Sequence, residues 1–186
     1  MVERNLAKVD VAGSNPVSRS SLSARKGVVI MKIVDFLSAN AIITDIKSTK
    51  KEDAIKELVD VLVNAQAIDK ASSSKLIEAL MVRESLGSTA IGQGVAIPHA
   101  KCDCVTQLVA GFGLSKKGVD FDSLDGEPAY IFFLLVAPQD SAGPHLKALA
   151  RISRLLKDKY FRDDLRSCVD SKSVLSIISQ EDEKKL

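Results

Sequence analysis

Ala129-Tyr-Ile-Phe-Phe-Leu-Leu-Val-Ala137 carries no charge and a single polar group, the Tyr130 hydroxyl. A strand with one wet face alternates apolar and polar residues; this stretch does not, so both of its faces must be covered. It is too short to span a membrane as a helix, and no run of about eighteen uncharged apolar residues occurs elsewhere. The run therefore predicts a central strand over Tyr130–Val136, between two layers of helix.

The flanking sequence supplies partners for such a strand. Ala41–Ile46 and Leu108–Leu114 read as strands, and Ile91–Ile97 as an apolar stretch behind glycines. Thr49-Lys-Lys-Glu52 has the form of a capping box, with Ile55, Leu58, Val59 and Leu62 following at helical spacing. A second helix is predicted from about Ser72 to Arg83, buried through Leu76, Ile77, Leu80 and Met81. Gly143-Pro144 is read as opening a third, with proline at its first position and Leu146, Leu149, Ile152 or Ser153, and Leu156 lining its inner side, to end near Lys159. Short helices over 162–169 and 172–179 and a charged tail over 182–186 complete the reading. The predicted class is α/β, an α/β/α sandwich with a central mixed β-sheet in a single domain over 31–181.

Residues 1–30 differ in kind. They are rich in Ser, Arg, Gly and Asn, show no sustained period, and carry a net charge of +3, whereas the other residues sum to −1. They are expected to be a disordered extension or an over-extended reading frame with translation starting at Met31, whose Met-Lys-Ile-Val-Asp-Phe-Leu resembles an ordinary domain start. With no apolar stretch they are not a secretory signal. A near-neutral body without a basic stripe argues against nucleic-acid binding. Cys102, Cys104 and Cys168 form an odd set without framework spacing and are expected to be reduced thiols of a cytoplasmic protein.

The chain has two histidines. His99 closes Ile91-Gly-Gln-Gly-Val-Ala-Ile-Pro-His99-Ala-Lys101, directly after Pro98, which fixes its own φ and donates no backbone hydrogen bond. A neutral imidazole held by a stiff segment is a nucleophile near neutral pH; a hydrogen-bonded structural histidine is the plainer reading. Gly87, Gly92 and Gly94 can bring backbone amides close to an anion, and Ser88 and Thr89 add hydroxyls. The spacing fits neither a nucleotide P-loop nor a dinucleotide fingerprint. Arg83, at the end of the preceding helix, is either a solvated helix-end cation or a forked donor for a phosphoryl group. His145, near a helix start, is either exposed or converges on His99 at the carboxyl edge of the sheet. A metal held by both histidines with Cys102 or Cys104 is the remaining option, and it lacks the short paired spacings of most metal sites. Asp120, Asp122, Asp125 and Glu127 read as a solvated turn.

Three separated segments carry a family resemblance: Arg83-Glu-Ser-Leu-Gly-Ser-Thr89, Ile91-Gly92 with Val95-Ala-Ile-Pro-His99-Ala100, and Phe133-Leu-Leu-Val136 followed by Pro144-His145-Leu146. Together they resemble the enzyme IIA domains of the phosphotransferase system, of the fructose, mannitol and nitrogen-regulatory type. The resemblance spans about 31–178 and implies that His99 accepts a phosphoryl group from a phosphohistidine carrier of the HPr or NPr kind. It implies that Arg83 and His145 position and neutralise that group, with Ser88 and Thr89 as further loop donors, and that neither cofactor nor metal is needed. Downstream partners would be regulatory targets such as potassium-transport or sensor proteins, or else a IIB domain. The Met31 start and the end of the chain soon after the domain resemble the free-standing nitrogen-regulatory members; a fructose-type sugar component is the alternative, and a binding module with an inert His99 is a third.

Overall fold

A computed structural model describes residues 31–185; the expectation for 1–30 lies outside the described residues. After a 3-10 turn at Ile33–Asp35, the elements are β1 (Leu37–Ile43), α1 (Lys51–Asn64), α2 (Ser73–Ser85), β2 (Ala90–Gly92), β3 (Val95–Ala96), β4 (His99–Lys101), β5 (Val109–Val119), β6 (Ala129–Ala137), α3 (Ala142–Leu156), α4 (Lys159–Ser167) and α5 (Ser171–Lys184).

The sheet is mixed, ordered β1-β5-β6-β3-β2, with β4 also on β6. The apolar run forms β6, as its composition requires. It pairs antiparallel with β5 on one side and parallel with β3 and β4 on the other. Phe132 to Ala137 are each at most 1% exposed, so neither face of the strand meets water. Each of those large side chains contributes roughly 1.5–3 kcal/mol of burial. Phe133 meets Phe112 of β5 edge-on at 4.9 Å between ring centroids, and Phe132 meets Phe121 at 5.6 Å.

Helices α1 and α2 cover one face, and α3, α4 and α5 the other. On the first face, a Cβ at Gly113 would fall 2.8 Å from Leu58 of α1 and 2.6 Å from Ile46, so glycine lets the helix lie directly on β5. On the second, Asp158 caps α4 by accepting from the backbone amides of Tyr160 and Phe161. Asp170 caps α5 in the same way through Lys172 and Ser173.

Five local readings are corrected. The capping box at Thr49 does not form: Lys50 is the N-cap, without a side-chain bond. Thr49 instead gives its carbonyl to the amide of Asp120, and Lys50 bridges to Asp120, so long-range pairing holds the segment extended. Pro144 is the third residue of α3, not the first. The buried stripe of α3 runs through His145, Ala148, Ile152, Leu155 and Leu156, while Leu146 is 65% exposed. The start of the expected charged tail, 182–184, continues α5, and Asp182 there is buried, accepting from Ile33 N at 2.7 Å and pairing with Arg151. Cys102 and Cys104 are joined as a disulfide across Asp103, where free thiols were expected; Cys168 is free and buried.

Candidate functional site

Residues 95–101 run beside β6 as one edge, in register from Val95 opposite Ile131 to Lys101 opposite Ala137. The run is broken at Ile97–Pro98. Pro98 cannot donate, but its carbonyl accepts from Leu135 N at 2.9 Å, so the register survives the interruption. The Ile97 carbonyl is thereby free to meet the His99 ring: Nδ1 lies 2.8 Å from it. The other ring nitrogen faces Arg83, in the last turn of α2, whose Nε is 3.2 Å from His99 Nε2. Arg83 Nη1 also donates to the Gly87 carbonyl at 3.0 Å, fixing the guanidinium.

These partners determine the tautomer. A carbonyl only accepts, so Nδ1 carries the hydrogen; a guanidinium only donates, so Nε2 presents its lone pair. Desolvation holds the His99 pKa below its ordinary value; the Ile97 bond opposes this, and the Arg83 charge adds to it. The ring is neutral at pH 7, half-buried, with its nucleophilic nitrogen directed at a cation.

The buried stripe of α3 turns His145 inward to meet it. The two rings are 5.6 Å apart between centroids, tilted by 58°. His145 is 7% exposed, and its Nε2 is buried without a hydrogen-bond partner. Its pKa is also lowered, first by desolvation and then by the charges of His99 and Lys101. A buried ring nitrogen without a protein partner is costly unless something entering the cleft bonds it. Arg83, His99, Lys101 and His145 line an open cleft of about 330 Å³ rimmed by Val82 and Leu86, which are 59% and 81% exposed. A larger groove of about 470 Å³ between the starts of β1 and β5 holds neither histidine.

The glycines of the loop do something other than expected. Gly92 and Gly94 flank the turn of the β2–β3 hairpin, with φ of +85° and +75°. A carboxylate occupies the space beside them: Asp125 accepts from Gln93 N at 2.6 Å, and a Cβ on Gly92 would lie 2.8 Å from its Oδ2. An anion would be repelled there. Ser88 gives its hydroxyl to the Phe121 carbonyl at 2.7 Å, and Thr89 gives its own to Glu84 at 2.6 Å. Thus Arg83, His99 and His145 come together, while Ser88 and Thr89 have hydroxyls committed elsewhere. Among the described residues no cluster of three or more metal-ligating side chains occurs, and no helix is long and apolar enough to cross a membrane.

Two residues beside the site carried no role in the sequence reading. Glu84 is 5% exposed. Its partner Lys51, at the start of α1, reaches it at 2.8 Å across thirty-three residues of sequence, a separation at which no local pattern signals contact.

The family described as "Phosphoenolpyruvate-dependent sugar phosphotransferase system, EIIA 2" matches residues 35–181. The chain belongs to this EIIA family. It is 37% identical over 149 residues to a nitrogen regulatory protein of Bradyrhizobium diazoefficiens, covering 80% of this chain and 95% of that one. It is 41% identical over 152 residues to the fructose-specific EIIABC component of Bacillus subtilis, covering 82% of this chain but only 24% of that much longer relative. Among solved structures, nitrogen regulatory IIA-Ntr of Neisseria meningitidis superimposes with a TM-score of 0.72 at 31% identity, over 78% of this chain and 98% of that one. IIA mannitol of Escherichia coli shares the fold, with a TM-score of 0.65 at 22% identity over 76% of this chain and 97% of that one.

Proposed function

We propose that this EIIA domain is a cytoplasmic phosphocarrier that takes a phosphoryl group onto Nε2 of His99 from a phosphohistidine of an HPr- or NPr-like protein. The observation that carries this reading is the state of the ring: Nδ1 donates to Ile97, so the lone pair lies on Nε2, beside Arg83 and open to the cleft. In the transfer, the Nε2 lone pair forms the new N–P bond as the carrier's N–P bond breaks, and the electrons of that bond return to the carrier's imidazole nitrogen. No proton need move, and one phosphoramidate replaces another, so the step is close to balanced. Alignment and charge neutralisation then supply the catalysis. Arg83 shifts its donation from Nε2 to the phosphoryl oxygens, and His145, as the Nε2–H tautomer, gives its unpartnered nitrogen a phosphoryl oxygen to bond. Ser88 and Thr89 hold the loop and do not touch the phosphoryl group.

The likeness to nitrogen regulatory relatives, including the higher TM-score with IIA-Ntr, supports a regulatory role in which phosphorylated and unphosphorylated forms engage target proteins differently. Potassium-transport and sensor proteins are the targets this reading names. Phosphate adds close to two negative charges beside Arg83, a change that a partner can read at the surface. The 41% identity to a fructose-specific EIIABC component favours a second reading, delivery of the phosphoryl group to a IIB domain for sugar uptake; the phosphorylated IIB bound by E. coli IIA mannitol is an instance of such a partner. Incubation with labelled phosphoenolpyruvate, enzyme I and HPr separates the possibilities. Acid-labile, alkali-stable label that is absent from His99→Ala supports the reading, label retained in that variant refutes it, and onward transfer to IIB selects the second role.

A further inference from the structure

Glu84 is a carboxylate in the wrong place for stability. It lies in the last turn of α2, where the helix dipole disfavours negative charge, and it is 5% exposed. Burial pushes its pKa up, but the bonds from Lys51 and from the Thr89 hydroxyl and amide outweigh burial and hold it below the usual carboxylate range. It is therefore ionised: Thr89 N at 2.9 Å and Thr89 Oγ1 at 2.6 Å donate to Oε2, while Oε1 has only the charge of Lys51 Nζ, an ion pair at 2.8 Å without hydrogen-bond alignment. Lys51 is itself anchored to Asp122 at 2.8 Å.

Two hydrogen-bonded paths lead from this residue to His99, one to each ring nitrogen. Through its side chain, Glu84 pins Thr89; the Thr89 carbonyl accepts from Ile97 N at 3.0 Å; the Ile97 carbonyl accepts from His99 Nδ1 at 2.8 Å. Through its backbone, the Glu84 carbonyl accepts from Gly87 N at 3.1 Å; the Gly87 carbonyl accepts from Arg83 Nη1 at 3.0 Å; Arg83 Nε donates to His99 Nε2. The first path fixes the tautomer; the second aims the guanidinium through the backbone alone, independently of the carboxylate.

The geometry points to the Glu84 side chain, held by its Lys51 counter-ion, as the positioning group that sets the Nδ1 side of His99, and with it the tautomer, for phosphoryl transfer. This rests on the phosphoryl-acceptor reading above, and it concerns a residue that never touches the phosphoryl group. A reacting pair misplaced by about 1 Å loses on the order of a hundredfold in rate, a loss that a supporting ring of bonds prevents at a cost in buried charge.

The test uses the full chain and the variants Glu84→Gln, Lys51→Met and Thr89→Val. Glu84→Gln is expected to lower the maximal rate of phosphoryl acceptance from phosphorylated HPr by about 10- to 100-fold, with the KM for HPr within about twofold, since the docking surface is untouched. Long-range ¹⁵N–¹H spectra should show His99 passing from a single Nδ1–H tautomer to a mixture. Lys51→Met and Thr89→Val should move both readouts in the same direction, and Thr89→Ser, which restores the hydroxyl, should recover most of the rate lost by Thr89→Val. Should Glu84→Gln not fold, the Thr89 pair decides alone. Wild-type rate and tautomer in the folded variants, or a change confined to KM, overturns the proposal. A wild-type protein that takes no label overturns instead the phosphoryl-acceptor reading, and the tautomer spectra still report whether Glu84 orders the ring.

Discussion

The two histidines stand 5.6 Å apart in one cleft and are held in opposite ways. His99 has both ring nitrogens partnered, by the Ile97 carbonyl and by Arg83. His145 is more deeply buried, and its Nε2 has no partner. The first ring is fixed in one tautomer before anything arrives; the second keeps a buried ring nitrogen that no protein group bonds. A site of this form separates readiness from recognition. In the proposed transfer, the acceptor ring is preorganised at low cost in stability, and the unpaired atom beside it is the part for which folding is penalised.

The largest departure should come from the cation between the rings and the loop. Arg83→Gln removes the charge facing Nε2 and the bond to Gly87, and it should lower the phosphoryl-acceptance rate by about 10²–10³-fold in single-turnover assays; Arg83→Lys should recover only part of this, because a point charge cannot hold both partners. His145→Leu sharpens the contrast next. Transfer should fall by about tenfold or more, while stability in denaturant melts should stay level or rise by about 1 kcal/mol, because a buried unpaired nitrogen is replaced by hydrocarbon. A His145→Leu protein that is markedly less stable would show the ring to be a packing element instead.

Gly92→Ala probes the loop that reads as an anion cradle in the sequence and is a hairpin in the structure. A positive φ and the Asp125 carboxylate 2.8 Å from the new Cβ should cost about 1–3 kcal/mol in stability, with the transfer rate of the folded fraction within about twofold. A selective collapse of transfer would return the glycines to the site.

The smallest effect is the pH dependence of stability. Both histidines have folded pKa values below that of the unfolded chain, about 6.5. The unfolded state therefore binds protons first, and stability is lost as pH falls from about 6.5 through the folded values. His99→Gln with His145→Gln should flatten the melting temperature between pH 7 and pH 5; an unchanged slope would assign it to other groups.

Much of the fold and site was legible in the residues, and the parts that were not share a cause. β6 announced itself because a strand buried on both faces has no alternation to misread. Pro98-His99 was visible because proline fixes its own φ and so limits the direction in which the chain enters His99. The turn of α3 was misread by one position of helical rotation: Leu146 looks like a core residue and His145 reads as either exposed or inward, until the stripe through Ala148 and Ile152 settles which side is inward. Thr49 looks like a cap until Asp120, seventy-one residues away, takes its carbonyl. Glu84 and Lys51 could not be paired from sequence, because the contact exists only once α1 and α2 pack together.

The proposed function turns on which atom of which ring accepts the phosphoryl group. ¹⁵N and ³¹P NMR of the phosphorylated chain should show phosphorus bonded to Nε2 of His99, with Nδ1 still protonated and the Arg83 and His145 resonances shifted. Phosphorus on Nδ1, on His145 or on any other residue would contradict it.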